Sequence, residues 1–193
     1  MQHELTQKEG DLLLKLARTI IMHRFDNCED KLSALRLKAS EKLLEQRRAS
    51  FVTLHRAGQL RGCIGNLDPV KTIWEGVKDN AEHAAFNDTR FAPVSREELD
   101  EILVEISILS LPVKFEYSDA QALIAGLQPG VDGVILQKDY SRATFLPQVW
   151  EQLPEPEQFL THLCLKAGLS ANEWQSGNLS VFTYQVQMFE ENF

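Results

Sequence analysis

The spacing of apolar positions along the chain predicts one long helix and several half-buried strands. Behind Thr6-Gln7-Lys8-Glu9, a capping-box pattern, leucine, isoleucine and alanine recur every three or four residues, which predicts a helix over roughly 7–24. Apolar and polar residues alternate one by one over 102–109, which is typical of a half-buried strand. The same alternation predicts one long terminal strand over 179–189, with one side formed by Phe182, Tyr184, Val186 and Met188.

Two hairpins are predicted between these elements. Residues 51–55 and 60–66 are apolar and β-branched enough to form strands around a glycine-containing turn. Ala57-Gly58 and Gly58-Gln59 are both plausible turns, so the register of this hairpin stays open. A second hairpin is predicted within 133–146, where two apolar runs flank a polar turn.

Several shorter helices complete the pattern. Asp68-Pro69 predicts a helix start, because aspartate can cap free amides and proline fits the first turn. The helices are predicted at 40–46, from Asp68-Pro69 to about 86, at 95–98, at 118–125 and at 157–167, whereas 26–39 is polar and ambiguous. Strands and helices mix without a regular βαβ repeat, which favours an α+β fold with mainly antiparallel sheet and flanking helices.

Composition narrows the functional classes. The chain has 193 residues and a formal net charge of −8, which disfavours binding to nucleic acids and attachment to membrane surfaces. No apolar run approaches the ~20 residues of a spanning helix, and the first residues lack the pattern of a signal peptide. Three cysteines without a CxxC pair indicate a reducing, cytoplasmic setting. The scattered histidines show no zinc-site spacing, and no metal or cofactor is identified.

The stretch Leu60-Arg61-Gly62-Cys63-Ile64-Gly65 carries the most unusual chemistry of the chain. In a strand, Arg61, Cys63 and Gly65 share one face, and a guanidinium near a thiol favours the nucleophilic thiolate. Gly62 and Gly65 remove side chains, so a ligand can approach the backbone. The alternative is a buried structural cysteine beside glycines that allow tight packing.

Three other groups are candidates for the same site. Asp88 and Arg90 flank a turn and either pair to fix the loop or leave Arg90 to bind an anionic ligand. Glu105, on the polar face of its strand, is expected to balance an arginine such as Arg61, either as a structural pair or as a site carboxylate. His55 is a conceivable base for Cys63, although a solvated strand histidine is the simpler interpretation. A phosphate site at Asp68-Pro69 is disfavoured because the aspartate itself would occupy the cap.

Taken together, these motifs resemble the AMMECR-domain family, the LRGCIG-motif proteins that include the protein A type of the AmmeMemoRadiSam system. The resemblance covers about residues 8–190, and many motifs occur in order. They are Phe51-Val52-Thr53-Leu54, LRGCIG at 60–65, Ala84-Ala85-Phe86 with Asp88-x-Arg90-Phe91, Glu97-Glu98-Leu99, Val104-Glu105-Ile106-Ser107-x-Leu109, Asp132-Gly133-Val134, Phe145-Leu146-Pro147-Gln148-Val149, Phe159-Leu160 and Lys166-Ala167-Gly168-Leu169.

The resemblance implies a single domain, residues 1–193, made of two lobes. A larger lobe would carry both termini and an antiparallel sheet, a smaller lobe would carry its own short sheet, and LRGCIG would face the cleft between them. Arg61 and Cys63 would line that cleft. His55 and His83 fall on no motif position, so the resemblance supports neither as a base. It also implies a pathway shared with Memo-like and radical SAM proteins.

Two functional hypotheses follow. The first is a cytoplasmic enzyme or small-ligand-binding protein in which Cys63 is the nucleophile and Glu105 orients groups or moves protons. Arg61, Gly62, Gly65 and Arg90 would then contact an anionic ligand. Acyl-transfer or isomerase-type chemistry through a thiolate fits this set. The second is a non-catalytic adaptor or regulatory protein in which LRGCIG is structural.

Overall fold

The protein is α+β, with two four-stranded antiparallel sheets and flanking helices in a computed structural model that describes residues 4–191. Residues 1–3, which begin the sequence inspected for a signal peptide, lie outside the described residues. The helices are α1 (Gln7–His23), α2 (Glu29–Lys38), α3 (Glu41–Glu45), α4 (Ile73–Phe86), α5 (Ala120–Gly126) and α6 (Pro156–Lys166). The strands are β1 (Ser50–Arg56), β2 (Gln59–Asn66), β3 (Ile102–Leu109), β4 (Val113–Phe115), β5 (Gly133–Lys138), β6 (Ser141–Phe145), β7 (Ser180–Tyr184) and β8 (Val186–Glu190).

The chain forms two compact units. The first runs to Leu109 and resumes at Gln187, and the second is Ser110–Val186. The first unit contains the sheet β2-β1-β3-β8, and the second contains β4-β7-β5-β6. The cleft between two lobes, inferred above from the resemblance, stays a prediction.

The first unit forms because alternate residues of its strands are apolar on one face only. Val52, Leu54, Val104 and Ile106 are fully buried and pack with the apolar stripes of α1 and α4. The capping box predicted at Thr6 and Glu9 is present and begins α1. Burial of this one face leaves the opposite face of β1, β2 and β3 to the polar residues of the site.

The second unit has its own core, centred on α6. The rings of Trp150 and Phe159 stack with centroids 3.7 Å apart, and Phe159 is fully buried. Cys164 on the same helix is also fully buried, as its apolar setting predicts, and burial raises the pKa of its thiol. The second predicted hairpin is present as β5 and β6, paired from Val134 with Phe145 to Lys138 with Ser141.

Two predicted boundaries are wrong. The helix expected from Asp68-Pro69 begins at Ile73, because Thr72 and Glu75 form a complete capping box there. The terminal strand is two strands in different sheets, β7 and β8, separated by Gln185. The predicted common side is therefore interrupted: Tyr184 is buried, whereas Met188 is exposed.

Candidate functional site

The hairpin β1–β2 brings the candidate residues into one row on the outer face of the first sheet. Ala57 and Gly58 both have positive φ, 51° and 73°, so they form the two-residue turn and Arg56 pairs with Gln59. This resolves the register that the sequence left open. Cys63 of β2 lies opposite Thr53 of β1, and Thr53 lies opposite Glu105 of β3.

Cys63 is less buried than the other two cysteines. Its side chain is half-buried, whereas Cys28 and Cys164 are buried. The hydroxyl Oγ1 of Thr53 donates to Cys63 Sγ over 3.3 Å.

The backbone of Cys63 is held by a clamp formed by Asp88 and Arg90, at the free edge of the sheet. Cys63 N–H donates to Asp88 Oδ2 over 2.9 Å, and Arg90 Nη2 donates to Cys63 O over 3.1 Å. Arg90 also binds both carboxylate oxygens of Asp88, at 2.9 and 2.7 Å. The predicted pairing of Asp88 with Arg90 is confirmed. The Arg90 guanidinium, aided by the Cys63 N–H, holds the pKa of Asp88 far below its ordinary value.

Arg61 forms its ion pair with a different carboxylate from the one that the sequence predicted. Leu54 pairs with Gly62 and His55 with Leu60, so Arg61 is the extra residue of a β-bulge and the period-two alternation does not extend across it. Its Nε and Nη2 donate to Glu98 at 2.8 and 3.0 Å. The expected Arg61–Glu105 pair is therefore wrong, since Glu98 is the carboxylate that balances this cation.

Glu98 organises the loop that leads into β3. It accepts from Arg61, from Arg56 Nη1 at 2.9 Å and from the backbone N–H of Ser95 at 2.9 Å, and the last bond belongs to a capping box at the start of the short helix predicted at 95–98. Arg61 is the main cause that lowers the pKa of Glu98 to about 2. The third guanidinium nitrogen, Arg61 Nη1, is buried with no acceptor among the described residues.

The two glycines of the motif accommodate neighbouring protein groups. A Cβ at Gly62 would overlap the carbonyl oxygen of Ala84, so the glycine lets α4 approach β2. A Cβ at Gly65 would overlap the ring of Phe51, which lies directly opposite on β1. Both positions thus have a packing reason for glycine that does not involve a ligand.

Glu105 lies beside a histidine on the outer face. His55 Nε2 and Glu105 Oε2 are 3.4 Å apart, and both side chains are partly exposed. His55 lies two positions from Thr53 on β1, so it is the diagonal neighbour of Cys63 across the strand pair. The structure therefore gathers Cys63, Thr53, Glu105 and His55 on one surface.

Sequence reasoning missed the roles of Thr53 and Glu98. Thr53 belongs to the motif FVTL, but its contact with Cys63 depends on a register that the turn alone could not decide. Glu98 was identified only as part of the motif Glu97-Glu98-Leu99, which gave no sign of two arginine partners.

No helix within 4–191 is both long and apolar enough to span a bilayer. Over the same residues, no three His, Cys, Asp or Glu side chains are gathered as ligands for a metal ion.

The chain is similar to known proteins over nearly its whole length. The AMMECR1 family model matches residues 14–189. A protein of Methanothermobacter thermautotrophicus is 37% identical over 190 residues, which cover 97% of each chain. A protein of Methanosarcina mazei is 37% identical over 194 residues, 97% of this chain and 94% of the relative. The crystal structure of an uncharacterized protein from Pyrococcus horikoshii has a TM-score of 0.78 and 29% identity, covering 98% of this chain and 94% of that one.

Proposed function

This chain belongs to the AMMECR1 family, and on that premise we propose that it is a thiol-dependent enzyme that acts on a small molecule at the outer face of its first sheet. The observation that carries the proposal is the setting of Cys63. This half-buried sulfur accepts a hydroxyl hydrogen bond from Thr53 on a surface that also presents Glu105 and His55. A purely structural cysteine needs neither neighbour.

Each polar group of the surface has a distinct part in the proposed chemistry. Cys63 attacks an acyl carbon while its proton passes to His55, and the adduct then breaks its bond to the leaving group, which takes that proton from His55. Glu105 orients the imidazole across the 3.4 Å contact. Arg90, whose side chain is 54% exposed, binds an anionic group of the substrate beside Cys63. Thr53 positions the sulfur.

The test is the pH dependence of alkylation of Cys63 by iodoacetamide, followed by mass spectrometry. If His55 accepts the proton and Glu105 orients it, His55→Asn and Glu105→Gln slow the reaction several-fold near pH 7. His83→Asn, an exposed histidine on α4, is the matched control and leaves the profile unchanged. Profiles for His55→Asn and Glu105→Gln that coincide with that of the unaltered protein would exclude this base.

A second candidate function rests on a different observation. Arg61, Gly62, Cys63 and Gly65 each have a contact that contributes to folding, through Glu98, Ala84, the Asp88–Arg90 clamp and Phe51 respectively. These contacts fit an adaptor or regulatory protein in which LRGCIG is structural, acting with Memo-like and radical SAM proteins.

In-cell complementation separates the two functions. A thiol-dependent enzyme loses function in Cys63→Ser even when the purified variant unfolds at the same denaturant concentration as the unaltered protein. An adaptor keeps its function in that variant and loses it only in variants that destabilise the hairpin, such as Gly62→Ala. Association with the Memo-like protein of the same organism, measured with purified components, would then be retained in Cys63→Ser.

A further inference from the structure

A groove of about 560 Å³ lies among the helices of the first unit, and the proposed thiol chemistry does not use it. Its lining comes from α1 with the following Arg24, from α2 and from α4. None of the residues of the outer sheet face belongs to that lining. A volume of this size is in the range of small-molecule sites, roughly 300–1,000 Å³.

The floor of the groove is apolar. Leu16, Ile20 and Trp74 are buried there, and Phe86 is half-buried. Trp74 is only 4% exposed, and its indole N–H is not among the buried donors that lack a partner in the described part of the chain.

The rim of the groove carries cations that the protein does not neutralise. Arg24, Arg36 and Lys78 form no ion pair with any residue from 4 to 191, although Arg24 lies over the Phe86 ring at 5.8 Å. Two carboxylates share the rim, and one of them, Glu29, is 3.8 Å from His23. Elsewhere in the chain, ion pairs are formed by Arg18, Arg56, Arg61, Arg90 and Arg96.

The helix that forms one wall has little packing of its own. α2 contains no buried residue, and its Leu37 is 89% exposed. Only Leu32 and Leu35 of this helix pack, in part, against the core. Since helical order in proteins comes mainly from packing of an apolar face, a ligand between α2 and the floor would add the contacts that α2 lacks.

We propose that this groove binds a small amphipathic carboxylate, with an aliphatic or aromatic body on the floor and a carboxylate at the cationic rim. The body covers Ile20, Trp74 and Phe86. The carboxylate accepts from Arg36 and Lys78 across the groove. This site is separate from the Cys63 surface, so it stands whether or not the proposed thiol chemistry is correct.

The proposal is tested with octanoate as the ligand, and octanol, which has the same chain length but no charge, is the control. Titration of the full chain with octanoate changes the fluorescence of Trp74, identified by subtracting the signal of Trp74→Phe, and calorimetry gives the affinity. Arg36→Gln and Lys78→Gln each weaken octanoate binding about tenfold, the loss of one charge-assisted hydrogen bond. Lys31→Gln, which removes the same charge from α2 outside the groove lining, binds octanoate as the unaltered protein does.

Three results would overturn the proposal. The first is an octanoate titration that leaves both the Trp74 fluorescence and the calorimetric heat unchanged. The second is octanol binding as tightly as octanoate, which would mean that the rim cations recognise nothing. The third is equal octanoate affinity in Lys31→Gln, Arg36→Gln and Lys78→Gln, which would place the ligand elsewhere. Arg36 and Lys78 are exposed, so loss of folding does not complicate these variants.

Discussion

The two faces of the first sheet consist of alternate residues of the same strands, yet the side chains of the two faces have different roles. On the inner face, Val52, Leu54 and Val104 have no exposed surface and pack against helices. On the outer face, Thr53 and Glu105 are partly exposed and contact other polar groups. The inner face therefore determines stability, whereas the outer face is free to carry chemistry. LRGCIG contributes to both, with Gly62 on the inner side and Cys63 on the outer side.

The largest effect on stability is expected at the inner face, from Gly62→Ala. The added methyl group overlaps the backbone carbonyl of Ala84, which cannot rotate away, so we expect a loss of about 3 kcal/mol. Urea unfolding measures it. Gly76→Ala on α4 is the matched control, because the added methyl meets only the rotatable hydroxyl of Ser50 and alanine favours the helix. Equal losses in the two variants would contradict the assigned contact.

A smaller effect on stability is expected at the free edge of the sheet, from Asp88→Asn. The asparagine keeps the shape but loses the charge that binds Arg90. Its amide nitrogen replaces one carboxylate oxygen and cannot accept a hydrogen bond from the Arg90 guanidinium or from Cys63 N–H. We expect a loss of about 2 kcal/mol in unfolding free energy. Asp79→Asn, which alters an ion pair of exposed residues with Lys71, should cost less than about 0.5 kcal/mol.

Glu98→Gln tests the Arg61–Glu98 ion pair through the pH dependence of stability. Glu98 has a folded pKa of about 2, below its ordinary 4.5, so its contribution to stability is complete above about pH 4.5 and is lost as pH falls toward 2. At pH 7 we expect the variant to be less stable by about 1–2 kcal/mol. The difference between the two proteins should shrink progressively between pH 4.5 and pH 2. A difference that does not change with pH would contradict the Arg61–Glu98 pairing.

The smallest effect on stability is expected at the outer face, from Thr53→Val. Valine keeps the shape and suits a strand, so the unfolding free energy should change by less than about 1 kcal/mol. Loss of the hydroxyl that donates to Cys63 Sγ should nevertheless slow alkylation of that thiol. Thr183→Val on β7 provides a comparison variant remote in sequence from Cys63. Unchanged alkylation in Thr53→Val would show that the hydroxyl has no influence on the sulfur.

Local patterns were enough to predict much of the fold. The capping box at Thr6 and the hairpin between β1 and β2 are encoded by neighbouring residues, and both are present. The alternation predicted for β3 is present only over 102–106, because residues 106–109 are all buried. The terminal strand was predicted as one element because its alternation continues through Gln185, although β7 and β8 belong to different sheets. Helix α2 was ambiguous because it has no apolar face to recognise.

The candidate site was less predictable, because its contacts depend on register. Arg61 was expected to act on Cys63 two residues away, but a bulge at Arg61 breaks the alternation and Glu98 engages the guanidinium. Thr53 could be assigned to the sulfur only after the turn was known. Spacing along one strand gives the order of side chains on each face, whereas it cannot give the partners that arrive from other strands and loops.

The most direct test of the central claim, that Cys63 is a reactive thiol on the outer face, is the relative alkylation rate of the three cysteines in the folded protein. Limited iodoacetamide labelling at pH 7, quantified by peptide mass spectrometry, should modify Cys63 at least tenfold faster than Cys28 or Cys164, because those two are buried. Labelling under denaturing conditions should make the three rates similar. A Cys63 rate in the folded protein no higher than those of Cys28 and Cys164 would contradict the account.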